Sequence, residues 1–313
     1  MSTLLVSLIA VGVLLLVAVP GFILMKRKML SEACIPGFSK VLLFVCQPCL
    51  AVYTFTQLEF SLEMLKNLGI FALLIAAIHA IMLCGSYLVL RKKYVQSVYR
   101  IITIGTTFGN CAFFGIPIIE ALMPEVASEV IVYTTVYAVV MNILGWTVGS
   151  AIISGDSKYI SIKKIFLNPA TIGLAVALLF YVLRVDLGAE LSSMIQVTGK
   201  SATPISMVVM GMRLATMDLR RVFADVRIYL AIFVKQIIMP LITFGIIMLL
   251  PFIDLNLRMV LFITTACPAA SIVLNFAEIV GEGQDSAANL VLVSTILSIL
   301  TLPLVMLLLP LII

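Results

Sequence analysis

Gly105-Thr106-Thr107-Phe108-Gly109-Asn110-Cys111-Ala112-Phe113-Phe114-Gly115-Ile116-Pro117 sits inside a long apolar run, yet it is a poor sequence for an unbroken helix. Proline removes a backbone donor and glycine admits unusual backbone angles, so the clustering of both predicts an interruption. A second stretch, Thr264-Thr265-Ala266-Cys267-Pro268-Ala269-Ala270-Ser271-Ile272-Val273-Leu274-Asn275, has the same character. Gly109-Asn110 corresponds to Cys267-Pro268 at an offset of 158 positions, and Pro117 to Asn275 at the same offset. Unwound backbone inside a membrane survives only where it is buried in protein or lines a cavity. One such stretch could be an ordinary proline kink. Two at matched positions, each with an Asn seven residues from its Pro, point to a solute site near the membrane midplane.

The surrounding sequence makes the membrane the solvent. Of 313 residues, 63% are hydrophobic and 11% charged, and mean hydropathy is +1.23. A soluble domain of this length could not hide so much apolar surface. Apolar helical stretches are predicted at 3–25, 35–56, 67–90, 99–122, 129–153, 168–184, 191–212, 226–250, 257–279 and 286–310, each near the ~20 residues a bilayer requires. The fold class is therefore an all-α polytopic membrane protein with about ten transmembrane helices. Connections are short, and even the central one, Ser154 to Leu167, reads as a polar loop.

Basic residues collect in alternate loops. Lys26, Arg27 and Lys28 follow helix 1, and Arg91, Lys92, Lys93 and Arg100 lie between helices 3 and 4. Lys158, Lys163 and Lys164 join helices 5 and 6; Arg213, Arg220, Arg221 and Arg227 join helices 7 and 8. The net charge of +5 thus reads as a topology signal, not as a nucleic-acid surface. Basic loops stay cytoplasmic, so both termini are expected outside, in a multi-pass protein of the cell (plasma or inner) membrane. The run Leu4 to Met25 has its positive charges after it, the reverse of a cleaved signal. The six cysteines show no metal-ligand spacing, and Cys46 and Cys49 lack the βαβ surroundings of a redox motif.

Five helices per half is an odd number, so a duplicated half must lie upside down relative to its twin. Pro48 in helix 2 matches Pro204 in helix 7 at an offset of 156. We expect a 5+5 inverted repeat, residues 1–155 and 156–313, with broken helices 4 and 9. Half-helix N-termini at such breaks present free N–H groups and a positive dipole end, which suit an anion. Candidate substrate-binding residues are accordingly Gly109, Asn110, Pro117, Pro268, Ser271 and Asn275, with Gln47 beside Pro48 as a further one.

Ionisable groups deep in a span are suspects for function. Lys235, about nine residues into helix 8, is a further substrate-binding candidate: it could attract a carboxylate, and an ion pair is harder to place because no carboxylate lies at similar depth in the first half. His79, the only histidine, could relay protons, or could be a neutral imidazole bonded to a neighbouring helix's carbonyl. Lys200 could line an outer vestibule or snorkel to the surface. Among Glu278, Glu282 and Asp285, a solvated loop accounts for the last two, and Glu278 is the one expected to be buried and open to an ion-coupling role. No metal site and no cofactor are expected, with Na+ or H+ coupling left open.

The stretch Phe108-Gly109-Asn110 to Gly115-Ile116-Pro117 resembles the fourth-helix motif of the auxin efflux carrier family. Asn168-Pro169, Pro204 with Gly211, Lys235 with Pro240, and the tail from Pro268 through Gly281 to Pro303 are similar to that family's pattern too. The resemblance covers nearly the whole chain and implies the ten-helix fold of bile-acid sodium symporters. In that fold helices 4 and 9 cross at unwound centres. A transport domain of helices 3–5 and 8–10 moves elevator-fashion against a scaffold of helices 1, 2, 6 and 7. The short loop between helices 5 and 6 looks like the prokaryotic members, related to malate or malonate permeases and to PIN-type auxin carriers. Glu278 departs from the less acidic residue usual there. The resemblance implies a secondary transporter of a small organic anion, working in the lipid bilayer, with a homodimer compatible and no nucleic-acid partner. A channel and a symporter of another solute remain alternatives. An intramembrane enzyme lacks its motifs: there is no His-Glu-x-x-His, no Gly-x-Ser-x-Gly, and no phosphate-binding loop for an ATP-driven pump.

Overall fold

Polar residues at the ends of the apolar runs start the helices. In the computed structural model, which describes residues 2–156, 158, 160–217 and 225–312, the Ser2 hydroxyl caps α1 (Thr3–Lys26) by accepting from Leu5. Ser61 caps α3 (Leu62–Lys93), accepting from the amides of Glu63 and Met64. Asn168 caps α6 (Pro169–Val182), with Pro169 at the first turn where its missing N–H costs nothing. Asp225 caps α8 (Val226–Met248), and Asp254 caps α9a (Leu255–Ala266). The remaining elements are α2 (Cys34–Thr56), α4a (Ser97–Gly105), α4b (Cys111–Leu122), α5 (Ala127–Ser154), α7a (Gly188–Lys200), α7b (Ala202–Thr216), α9b (Ile272–Val280) and α10 (Gln284–Met306).

These helices follow the expected spans to within a few residues. Two differences have local causes. α3 runs to Lys93 instead of ending near 90, because Arg91–Lys93 continue it as a tighter 3-10 turn. The link between α5 and α6 is not wholly a loop: Ser161 accepts from the Lys164 amide and starts a short helix, Ile162–Phe166. Arg220 and Arg221, part of the basic-loop argument, lie outside the described residues.

Among the described residues, six helices are long and apolar enough to cross a membrane, and shorter apolar ones pack between them. Leucines at the periphery are bare: Leu16 is 69% exposed, Leu73 74% and Leu300 67%. Such a belt is untenable in water and ordinary against lipid. The chain is an all-α polytopic membrane protein.

Three interior prolines share a mark that Pro20 in α1 and Pro303 in α10 lack. Pro48, Pro117 and Pro240 each stand two residues after a five-residue π turn, Leu42–Cys46, Cys111–Gly115 and Val234–Ile238 respectively. Proline cannot donate to the carbonyl four residues back and its ring crowds that carbonyl, so the preceding turn widens.

Close backbone contact joins helices 1, 2, 6 and 7. A Cβ on Gly211 would collide with the Ala18 carbonyl, and one on Gly199 would meet the Leu50 backbone, so α7 lies flat on α1 and α2. α6 packs along α2 in the same way, through Gly173 against Pro48. A separate apolar cluster ties α4a, α8, α9b and α10 around Ile101, Phe276 and Leu290.

Candidate functional site

Helices 4 and 9 are both interrupted, and the interruptions meet. α4a ends at Gly105 and α4b starts at Cys111; α9a ends at Ala266 and α9b starts at Ile272. Gly109 and Ala269 form an antiparallel bridge. The Asn110 amide donates to the Pro268 carbonyl at 2.8 Å, and the Ala270 amide to the Phe108 carbonyl at 2.9 Å. Other freed groups are served by side chains: Gly109 donates to the Tyr137 hydroxyl at 3.2 Å, and Ala269 to the Ser294 hydroxyl at 3.1 Å. Unwound backbone is thus kept satisfied inside the bundle.

Beside the crossing lies a cavity of about 920 Å³ between α2, α4, α5, α7, α9 and α10. Gln47, Gly109, Asn110, Ser271 and Asn275 line it. Among the described residues, the side chains of Gln47, Asn110, Ser271 and Asn275 hold no protein partner. Asn110 and Ser271 directly precede α4b and α9b, whose first N–H groups have no acceptor within their helix. The Cys111 and Val273 amides turn back to the Gly109 and Ala270 carbonyls, and the side-chain donors of Gln47, Asn110, Ser271 and Asn275 converge with the two helix starts on one space. An apolar wall faces them, with Trp146 and Phe276 packed edge to face at 4.8 Å between ring centres.

The cavity opens at one end of the bundle, where Glu32, Lys40, Arg213 and Asp285 form its rim. At the opposite end, Tyr53, Gln57, Pro117, Glu120 and Lys200 line a smaller cavity of about 270 Å³. Between the two is a void of about 10 Å³ bordered by Gln47, Leu50, Ala112, Ile116 and Thr134. That is at or below the smallest space, ~10–15 Å³, that holds one water. The two ends are not connected.

A family model described as "Membrane transport protein" matches residues 6–306, spanning both breaks and the whole cavity lining. The chain belongs to the auxin efflux carrier family. It is a membrane transporter. Among curated proteins no sequence match was found.

In this auxin efflux carrier family member, the expected site residues divide into groups. Gln47, Gly109, Asn110, Ser271 and Asn275 share the large cavity. Pro117 borders the smaller cavity with Lys200, and Pro268 is buried at the crossing, where its carbonyl serves Asn110. Lys235 is 0% exposed and lies behind the crossing, off the cavity wall. His79 is buried, with Nδ1 2.7 Å from the Ile75 carbonyl of its own helix rather than a neighbour's. A carbonyl only accepts, so Nδ1 carries the proton and Nε2 is left without a partner. Glu278 is not buried as expected: its side chain is half exposed at the rim, and an Arg213 Nη1 donates to it at 2.9 Å. The arginine at the end of α7b draws it to the water-facing side.

Several lining residues were not among the candidates named from the linear sequence. Asn142 and Asn168 come together from α5 and the start of α6, Asn168 Nδ2 donating to Asn142 Oδ1 at 3.1 Å. Trp146 stands in a π turn, Gly145–Gly149, with the Lys164 ammonium 4.5 Å from its ring centre. Its place as the only tryptophan, between two glycines, was the available hint.

Proposed function

We propose that this transporter is a secondary carrier of a small organic anion, a mono- or dicarboxylate. The observation that carries the reading is the convergence of the α4b and α9b N-termini, with the unpartnered Asn110 and Asn275 side chains, on a cavity open at one end. Helix N-termini and amide donors stabilise a carboxylate. The apolar wall of Trp146 and Phe276 suits a solute with a hydrocarbon or ring portion.

We read the motion as elevator-type alternating access. Helices 1, 2, 6 and 7, held by glycine contacts, serve as scaffold; helices 3–5 and 8–10 carry the crossing. The closed neck favours a carrier over a channel. Residues 1–155 and 156–313 are read as inverted halves, a reading supported by the contact of Asn110 with Pro268, which the repeat offset of 158 pairs. The wider cavity is assigned to the cytoplasmic side of the cell membrane, because Arg213 and the loop after Lys26 lie at its mouth end.

The test is uptake into liposomes holding the purified protein, with a panel of labelled carboxylates and amines. Saturable carboxylate uptake, with amines excluded, is the expected result. Preferential amine uptake would overturn the anion reading, and single-channel currents would overturn the carrier reading.

A further inference from the structure

Lys235 is a charged side chain in an unusual place. Its ammonium is sealed from solvent, and no carboxylate lies within salt-bridge distance of it among the described residues. The titratable groups facing it are the Cys111 and Cys267 thiols, with His79 beyond. Burying a charge without a counter-charge is costly unless dipoles replace its water.

Those dipoles are present. Nζ donates to the Thr265 carbonyl at 3.0 Å and contacts the Met239 sulfur at 3.2 Å. Thr265 is in the last turn of α9a, where carbonyls lack helical donors and the helix dipole is negative. A Cβ placed on Gly109 would be 3.0 Å from Nζ, 3.0 Å from the Tyr137 hydroxyl and 3.3 Å from the Thr264 carbonyl. The absence of a side chain at Gly109 is what lets these groups gather. Neutral oxygens at a half-helix C-terminus beside unwound backbone are also the surroundings in which membrane carriers hold monovalent metal cations.

We propose that Lys235 is a tethered resident cation: its ammonium fills a monovalent-cation site built from the end of α9a and the Gly109 break. The protonated side chain supplies the site's positive charge, so the crossing needs no sodium there. Shortening the side chain opens the site to a free cation. The existence of the site stands on this geometry alone; sodium-free loading of the anion rests in addition on the carrier reading above.

The experiment is thermal unfolding of the purified full-length protein in choline, sodium or methylammonium chloride at equal ionic strength. Lys235→Ala is expected to melt below the parent in choline and to regain several degrees in sodium or methylammonium, saturably. The parent and Lys235→Met, whose side chain keeps the space filled without a charge, are expected not to respond. An identical melting temperature of Lys235→Ala in all three salts overturns the proposal, as does an equal rise in parent and Lys235→Met. If Lys235→Ala gives no folded protein, Lys235→Ser is purified in sodium and exchanged into choline. Loss of stability on exchange supports the site, and no change overturns it. A cation response without any carboxylate uptake retains the site and removes the anion reading.

Discussion

The backbone nitrogen of Asn110 donates to the carbonyl oxygen of Pro268 at 2.8 Å, joining the midpoint of helix 4 to that of helix 9. With the Ala270 to Phe108 bond beside it, this makes a short ladder where two helices are absent. The backbone is engaged while the Asn110 side chain is left free on the cavity wall, so the side chain can be changed without touching the bond that joins the helices.

Asn110→Ala and Asn275→Ala are therefore expected to fold and insert normally, because neither side chain has a protein partner to lose. Binding of a carboxylate should weaken by ~1.5–3 kcal/mol per lost charged hydrogen bond, roughly tenfold or more in Kd. Titration calorimetry on variants with parental melting temperatures checks this. Parental affinity in both would remove the crossing from the site.

Gly109→Ala should do the opposite, damaging the fold. The new methyl meets the Lys235 ammonium, the Tyr137 hydroxyl and the Thr264 carbonyl at 3.0–3.3 Å, so these buried neighbours must each give by a few tenths of an ångström. Overpacking of this kind costs about 1–3 kcal/mol. A clear drop in apparent melting temperature is expected, and an unchanged value would show that the crossing yields easily.

The Arg213–Glu278 pair links α7b to α9b across the cavity rim. If these helices belong to bodies that move apart, the pair restrains the motion. Glu278→Gln and Arg213→Gln should each alter transport rate a few-fold, matching the ~0.2–1 kcal/mol of an exposed pair. The double variant should show no further change. Additive effects would mean that the two residues act separately.

Asp225 gives a pH signature at the start of α8. Its carboxylate accepts from the Arg227 side chain at 2.8 and 2.9 Å and from the Arg227 amide at 3.0 Å, and these bonds hold its pKa below the usual carboxylate value. A depressed pKa stabilises the fold above the unfolded value of ~3.9, and that stability fades as pH falls through the folded value. Asp225→Asn keeps a capping side chain but loses the charge. It should melt slightly below the parent at neutral pH, by less than ~1 kcal/mol of stability. The gap should close under acid, and a gap that persists at low pH would contradict the linkage.

Orientation is checked in a background free of native cysteines. A cysteine at Lys92 should resist an impermeant maleimide added to intact cells and react once they are permeabilised. Labelling from outside would reverse the cytoplasmic assignment of the basic loops.

Helix positions and both breaks were legible because lipid imposes a length and clustered glycine and proline an interruption, each readable locally. Which side chains face the cavity was only partly legible. Gly109, Asn110, Ser271 and Asn275 advertised themselves by lying at the breaks, and they do share the cavity. Lys235 is as polar, but one helix face decides whether it points to the cavity or behind the crossing, and composition carries no such direction. Glu278 was misjudged because its partner, Arg213, is 65 positions away. The Asn142–Asn168 contact likewise depends on packing between α5 and α6.

The tiny void between Gln47 and Ile116 has an electrical consequence. Cavities lie on either side, and once filled with water they bring each bulk solution, and its voltage, to within a few residues of the other. The membrane field then falls over that thin septum instead of the full bilayer. A charge crossing the whole potential gains or loses ~2.3 kcal/mol per 100 mV. An anion displaced by little more than the depth of the septum would traverse most of that voltage.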